Sequence, residues 1–89
     1  MYEFLIENKL RKIMKTIFKK DRTLHDALIK KIHEVVFCKN VNHYKNLRAP
    51  LNFLKRIHIK GPFVLIFSYD ASKNIIKFHN LDHHDKIYQ

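Results

Sequence analysis

Between positions 10 and 36 the apolar residues of this chain keep a helical spacing twice, and beyond position 53 they abandon it. Leu10, Ile13, Met14, Ile17 and Phe18 are separated by steps of three, one, three and one, which places them on one stripe of a helix of about three turns. The opposite face of that helix carries Lys9, Arg11, Lys12, Lys15 and Lys19. Leu24, Ala27, Leu28, Ile32, Val35 and Val36 repeat the spacing through about residue 37. The polar stretch KKDRT separates the two stripes, and Thr23 with Asp26 three positions on reads as a weak capping box for the second helix. Two amphipathic stripes joined by so short a break predict an antiparallel helical hairpin. Neither stripe is buried by the hairpin alone, so both require a further layer to pack on.

The rest of the chain supplies that layer. YEFLI, residues 2–6, is aromatic and branched and predicts a first strand. CKNVNHYKNLRAPLN, residues 38–52, is polar, holds Pro50 and reads as a long connection. FLKRIHIK, residues 53–60, alternates: Phe53, Ile57 and Ile59 point one way, and Leu54, Arg56, His58 and Lys60 the other. Gly61, the single glycine, and Pro62 turn the chain. FVLIFSY, residues 63–69, is nearly continuous apolar sequence, as in a central strand covered on both faces. DASKN makes a hairpin connection to IIKFHNL, residues 75–81, the final strand. The expected fold is therefore α+β, in the order β-α-α-β-β-β. A helical hairpin covers one face of an antiparallel-rich sheet, in a single domain spanning residues 1–89.

Charge narrows the function classes. Lys and Arg number 18 against 8 Asp and Glu, a net charge of +10. Such a surface suits a polyanionic partner, either nucleic acid or an acidic protein. The hairpin's apolar stripes are needed for the core, which argues against a membrane-surface role. No run of about 18 apolar residues is present to span a bilayer. The opening segment is broken by charges every few positions, unlike a secretory signal. Cys38 is the only cysteine, so no internal disulfide forms, and a cytoplasmic location is expected. It has no evident partner for nucleophilic catalysis.

Chemistry concentrates in two places. Arg56 and His58 lie on the outer face of their strand. The chain closes on FHNLDHHDKIYQ, residues 78–89, with His83, His84 and Tyr88. A tail folded back over the sheet would bring Arg56, His58, His83, His84 and Tyr88 together. Metal-free cleavage of RNA needs these parts: a base for the ribose 2′-OH, a cation for the phosphate, and an acid for the departing 5′-oxygen. Histidine fills either proton-transfer role near neutral pH, and an aromatic ring stacks on an unpaired base. His79, His83 and His84 beside Asp82 and Asp85 could be read as a metal site. However, no cysteine pair or HExxH spacing supports a metal, and no cofactor is expected.

The whole chain resembles the RelE/ParE superfamily of small toxins from prokaryotic toxin–antitoxin pairs. The resemblance rests on the element order, on LRAPLNFLKRIHI at 47–59, on FVLIFSYD at 63–70 and on HHDKIY at 83–88. It implies an endoribonuclease that cleaves mRNA in the ribosomal A site without a metal, restrained by an acidic antitoxin. The superfamily's other branch poisons DNA gyrase, and a degenerate member would only bind its antitoxin. By the resemblance, Arg56 binds phosphate and His58 is the general base. His84, in place of the family's tail arginine, is the acid, with His83 as its rival. Tyr88 stacks on or orients the cleaved nucleotide. Lys55, Lys60 and Lys86 are the expected substrate-binding lysines. Val64 stands where the family usually has an arginine, which removes an expected transition-state cation unless Lys55 or Lys60 supplies it.

Overall fold

A computed structural model describes residues 1–83. The elements run β1 (Glu3–Ile6), α1 (Asn8–Lys20), α2 (Arg22–Val36), a short 3-10 turn at Val41–His43, β2 (Lys55–Lys60), β3 (Phe63–Asp70) and β4 (Ile75–His83). This is the expected β-α-α-β-β-β order. The four strands form one sheet in the order β1-β4-β3-β2. The β2–β3 and β3–β4 pairs are antiparallel, while β1 lies parallel to β4 and makes the sheet mixed. The helical pair between β1 and β2 lets the chain cross from one sheet edge to the other, as a parallel neighbour requires.

Asp21 makes the hairpin corner. Its backbone N–H donates to Ile17 O at 2.8 Å and so closes α1. Its carboxylate accepts from the Leu24 N–H at 3.1 Å and caps α2. The cap is therefore Asp21 and not the expected Thr23, because Arg22 is already helical and the residue before it is the one outside helical geometry.

The hairpin closes one face of the sheet. Leu10 of α1 and Leu24, Leu28, Ile32 and Val35 of α2 meet Leu65 and Phe67 of β3 and Ile76 and Phe78 of β4. Phe67 and Phe78 are fully buried, with ring centroids 5.8 Å apart. At about 25 cal/mol per Å² of apolar surface removed from water, this cluster is the main source of stability. The connection from α2 turns around the β2 edge. Val41 and Tyr44 still belong to the helix-side core. Leu47 instead packs with Leu54, Val64 and Ile66 on the opposite face.

The connections follow local chemistry. Gly61 takes φ +55° between β2 and β3, a region only glycine enters without cost. In the β3–β4 turn the Asp70 carboxylate accepts from the Ser72 and Lys73 N–H groups and from the Ser72 hydroxyl. These bonds, the Ser72 hydroxyl foremost, hold its pKa below the ordinary aspartate value. One boundary differs from expectation: β2 begins at Lys55, and Phe53 lies before it, 66% exposed. Among the described residues no helix is long and apolar enough to cross a membrane.

Candidate functional site

Strand register decides which side chains can meet. Arg56 stands opposite Ile66, and His58 opposite Val64. Ile66 and Val64 pack with Leu47 and Leu54 on the face that the helices leave open. Arg56 and His58 therefore share that face, as the alternation of β2 predicts.

Lys55 has a different place. It stands opposite Phe67, on the helix side, and is 7% exposed. Its ammonium donates to Tyr44 O at 3.3 Å and to Asn46 Oδ1 at 2.8 Å. Burial pushes its pKa below the ordinary lysine value. This lysine pins the α2–β2 connection to the sheet, and its position does not fit the substrate-binding role expected of it. Lys60 is exposed at the end of β2, opposite Phe63 after an irregularity in the register, so it does not continue the row of Arg56 and His58.

β4 contains the feature that most reshapes the site. Ile66 pairs with Asn80, but Phe67 pairs with Phe78, which leaves His79 as an extra residue in a β-bulge. A bulge inserts one residue into one strand and reverses the alternation beyond it. Ile76 and Phe78 face the helices before the bulge, and Leu81 does so after it. His79 and Asn80 both come to the open face, and Asp82, opposite Val64, joins them there. His83 pairs with Phe63, with the two ring centroids 6.0 Å apart and the rings edge to face. Phe63 packs on the helix-side core. His83 thus continues the strand on the side away from His58, which does not fit the expected grouping of these two imidazoles. The expected roles of His84, Lys86 and Tyr88 fall on residues outside the described ones.

A three-residue chain lies on the open face. Ser68 lies on β3 opposite Lys77, and its Oγ is 2.7 Å from His79 Nε2. On the other side of the ring, His79 Nδ1 is 2.8 Å from Glu7 Oε1. Glu7 is held at the β1–α1 junction, where its N–H donates to Phe78 O at 3.0 Å. A carboxylate only accepts, so Nδ1 carries the proton, and in the neutral imidazole Nε2 accepts from the Ser68 hydroxyl. Glu7 and Ser68 were not candidates from the sequence, and His79 entered it only as a metal ligand. Local spacing carried no other signal, since Glu7 and His79 are 72 positions apart.

Val64 is fully buried in the small apolar cluster of the open face, so no cation stands at this position. Among the described residues no three His, Cys, Asp or Glu side chains are grouped so as to hold a metal ion. The basic residues of α1 lie on the helix side. Lys9, Lys12, Lys15 and Lys19 are exposed there, and the Arg11 guanidinium donates to Ile6 O at 2.9 Å.

Known proteins share this architecture. No family model matches the chain. A protein of Methanocaldococcus jannaschii named "Putative toxin RelE4" is 44% identical over 89 residues, covering 100% of this chain and 93% of that protein. The isolated E. coli RelE toxin superposes with a TM-score of 0.73 at 15% identity, covering 93% of this chain and 84% of that one. The archaeal RelE–RelB complex from Pyrococcus horikoshii gives a TM-score of 0.67 at 13% identity, covering 93% and 94%. These two likenesses concern the fold, while the full-length sequence match carries the kinship. The chain belongs to the RelE family of toxins.

Proposed function

We propose that this chain is the toxin of a toxin–antitoxin pair and that it cleaves messenger RNA at the ribosome without a metal. The observation that carries this reading is the shared placement of Arg56 and His58 on the open sheet face of a RelE-family fold. Arg56 is the cation for the phosphate, whose charge grows as the 2′-oxygen attacks. His58 is one of the two proton-transfer groups that the reaction needs. In the tail, His84 is the other candidate, and Tyr88 is the candidate for stacking on the neighbouring base. Attack by the 2′-oxygen forms a 2′,3′-cyclic phosphate and breaks the P–O5′ bond, and the 5′-oxygen leaves with a proton.

The partner that restrains the toxin is an acidic antitoxin of the RelB type. Charge supports this: a net of +10, with exposed lysines along α1, favours a negatively charged chain. The Pyrococcus horikoshii RelE-like structure is itself a complex with RelB.

The test uses purified full-length protein with mRNA-programmed ribosomes in the presence of EDTA. Cleavage that yields cyclic phosphate and 5′-hydroxyl ends, lost in His58→Ala and Arg56→Gln, is the expected result. Intact mRNA together with inhibited DNA supercoiling would refute the reading in favour of a gyrase poison. The buried Val64 favours a second reading, a member that has lost cleavage and only binds its antitoxin. Harmless expression without the antitoxin would establish that reading instead.

A further inference from the structure

We propose that Glu7, His79 and Ser68 form the proton-accepting unit of the open sheet face, with His79 Nε2 as the general base for the RNA 2′-hydroxyl. This rests on the RNA-cleaving reading above and names the base for it.

Three observations carry the assignment. First, the ring is oriented from both ends: 2.8 Å from Nδ1 to Glu7 Oε1, and 2.7 Å from Nε2 to Ser68 Oγ. A carboxylate behind Nδ1 fixes the tautomer that leaves a lone pair on Nε2, and it stabilises the imidazolium formed once a proton arrives. Second, alternation from Ile76 and Phe78 sets His79 on this face, and the bulge brings Asn80 there beside it, where strict alternation would set Asn80 towards the helices. The His79 side chain keeps 24% of its surface exposed. Third, the cation is at a workable separation. Arg56 pairs with Ile66 and Ile66 with Asn80, so Arg56 and the bulge lie two strand spacings apart, roughly 10 Å between backbones. Both residues, Arg56 and His79, stand on the same open face, with Ile66 of β3 between their strands.

The Ser68 hydroxyl marks the place of the substrate. It donates to the lone pair that the 2′-hydroxyl would use, and it turns away when RNA binds. The 2′-hydroxyl proton then passes to His79 Nε2 as the 2′-oxygen bonds to phosphorus. The P–O5′ bond breaks on the opposite side, and the 5′-oxygen receives a proton from a donor on the β2 side, where His58 stands. Asn80 Oδ1, buried and without a hydrogen-bond donor among the described residues, offers a further acceptor beside the base.

The test measures single-turnover cleavage of ribosome-bound mRNA by wild type, His79→Gln, His79→Ala, Glu7→Gln and Ser68→Ala, with folding checked by circular dichroism. Glutamine retains hydrogen bonds to both neighbours but takes up no proton, so His79→Gln separates chemistry from structure. The expected result is a loss of roughly 100-fold or more in rate for His79→Gln, with RNA binding unchanged and partial rescue of His79→Ala by added imidazole. Glu7→Gln loses about tenfold or more, and nitrogen NMR shows its His79 shifted from the Nδ1-protonated tautomer. Wild-type cleavage by folded His79→Gln overturns the proposal, as does an Nε2-protonated His79 in the wild type. A loss in Ser68→Ala equal to that in His79→Gln makes serine the reacting group and also overturns it. A wild-type protein that cleaves no RNA removes the functional reading itself, and the base with it.

Discussion

The two faces of the sheet are built on opposite principles. On the helix side, β3 and β4 present Leu65, Phe67, Ile76 and Phe78 to α1 and α2, and the result is a dry, closely packed layer. On the open side the same two strands present Ser68, His79, Asn80 and Asp82 beside a small apolar cluster of Leu47, Leu54, Val64 and Ile66. The first face holds the fold together, and the second carries groups that can bind or transfer protons. Neighbouring residues of one strand serve both, because a pleat turns successive side chains to opposite sides. The large closed core and the polar groups of the open face thus separate by face and not by region of the chain.

Mutations that strike one face at a time sharpen the contrast. The largest effect is expected from Phe67→Ala, which opens a cavity in the fully buried core. It should cost about 3–5 kcal/mol in urea unfolding, enough to leave much of the chain unfolded. Across the sheet, Arg56→Gln should lower cleavage roughly 100-fold, while the unfolding midpoint moves little. A large loss of stability in that variant would break the division between the faces.

Next comes the corner between the helices. Asp21→Ala removes the cap of α2 and should cost about 1 kcal/mol with unchanged cleavage per folded molecule. The smallest effect concerns Lys55, whose charge is buried on the packed face. Its pKa is lower in the folded chain than in the unfolded one, so between those two values the unfolded state binds more protons. Stability contributed at this position therefore rises with pH through that interval. Lys55→Met should flatten this rise when melting temperature is followed towards alkaline pH, and cleavage should persist. Lost cleavage in Lys55→Met would return this lysine to the substrate site.

Much of the architecture was legible because it is local. The i, i+3, i+4 spacing from Leu10 to Phe18 and again from Leu24 to Val36 identifies both helices. The alternation around Arg56 and His58 assigns both to one face. Both patterns reflect the fixed periods of a single element, 3.6 residues for a helix and two for a strand. What failed was less local. Asp21 was passed over as a cap in favour of Thr23, since a cap is decided by which residue breaks out of helical geometry. Lys55 was expected among the substrate-binding lysines and its burial was not foreseen, because the carbonyl of Tyr44 and the amide of Asn46 that hold it belong to a connection whose path no periodicity describes.

The sequence by itself determined the element order, the pairing of two apolar helical stripes with a sheet, and the side on which Arg56 and His58 stand. Each follows from short-range spacing of apolar residues. Only the tertiary structure decided which way the end of β4 faces. An extra residue in a strand is defined by the partner strand it fails to match, here β3, and that mismatch turns His83 away and Asn80 and Asp82 towards the open face. It also decided that Glu7 stands behind His79, because a contact across 72 positions exists only once β1 has docked parallel to β4.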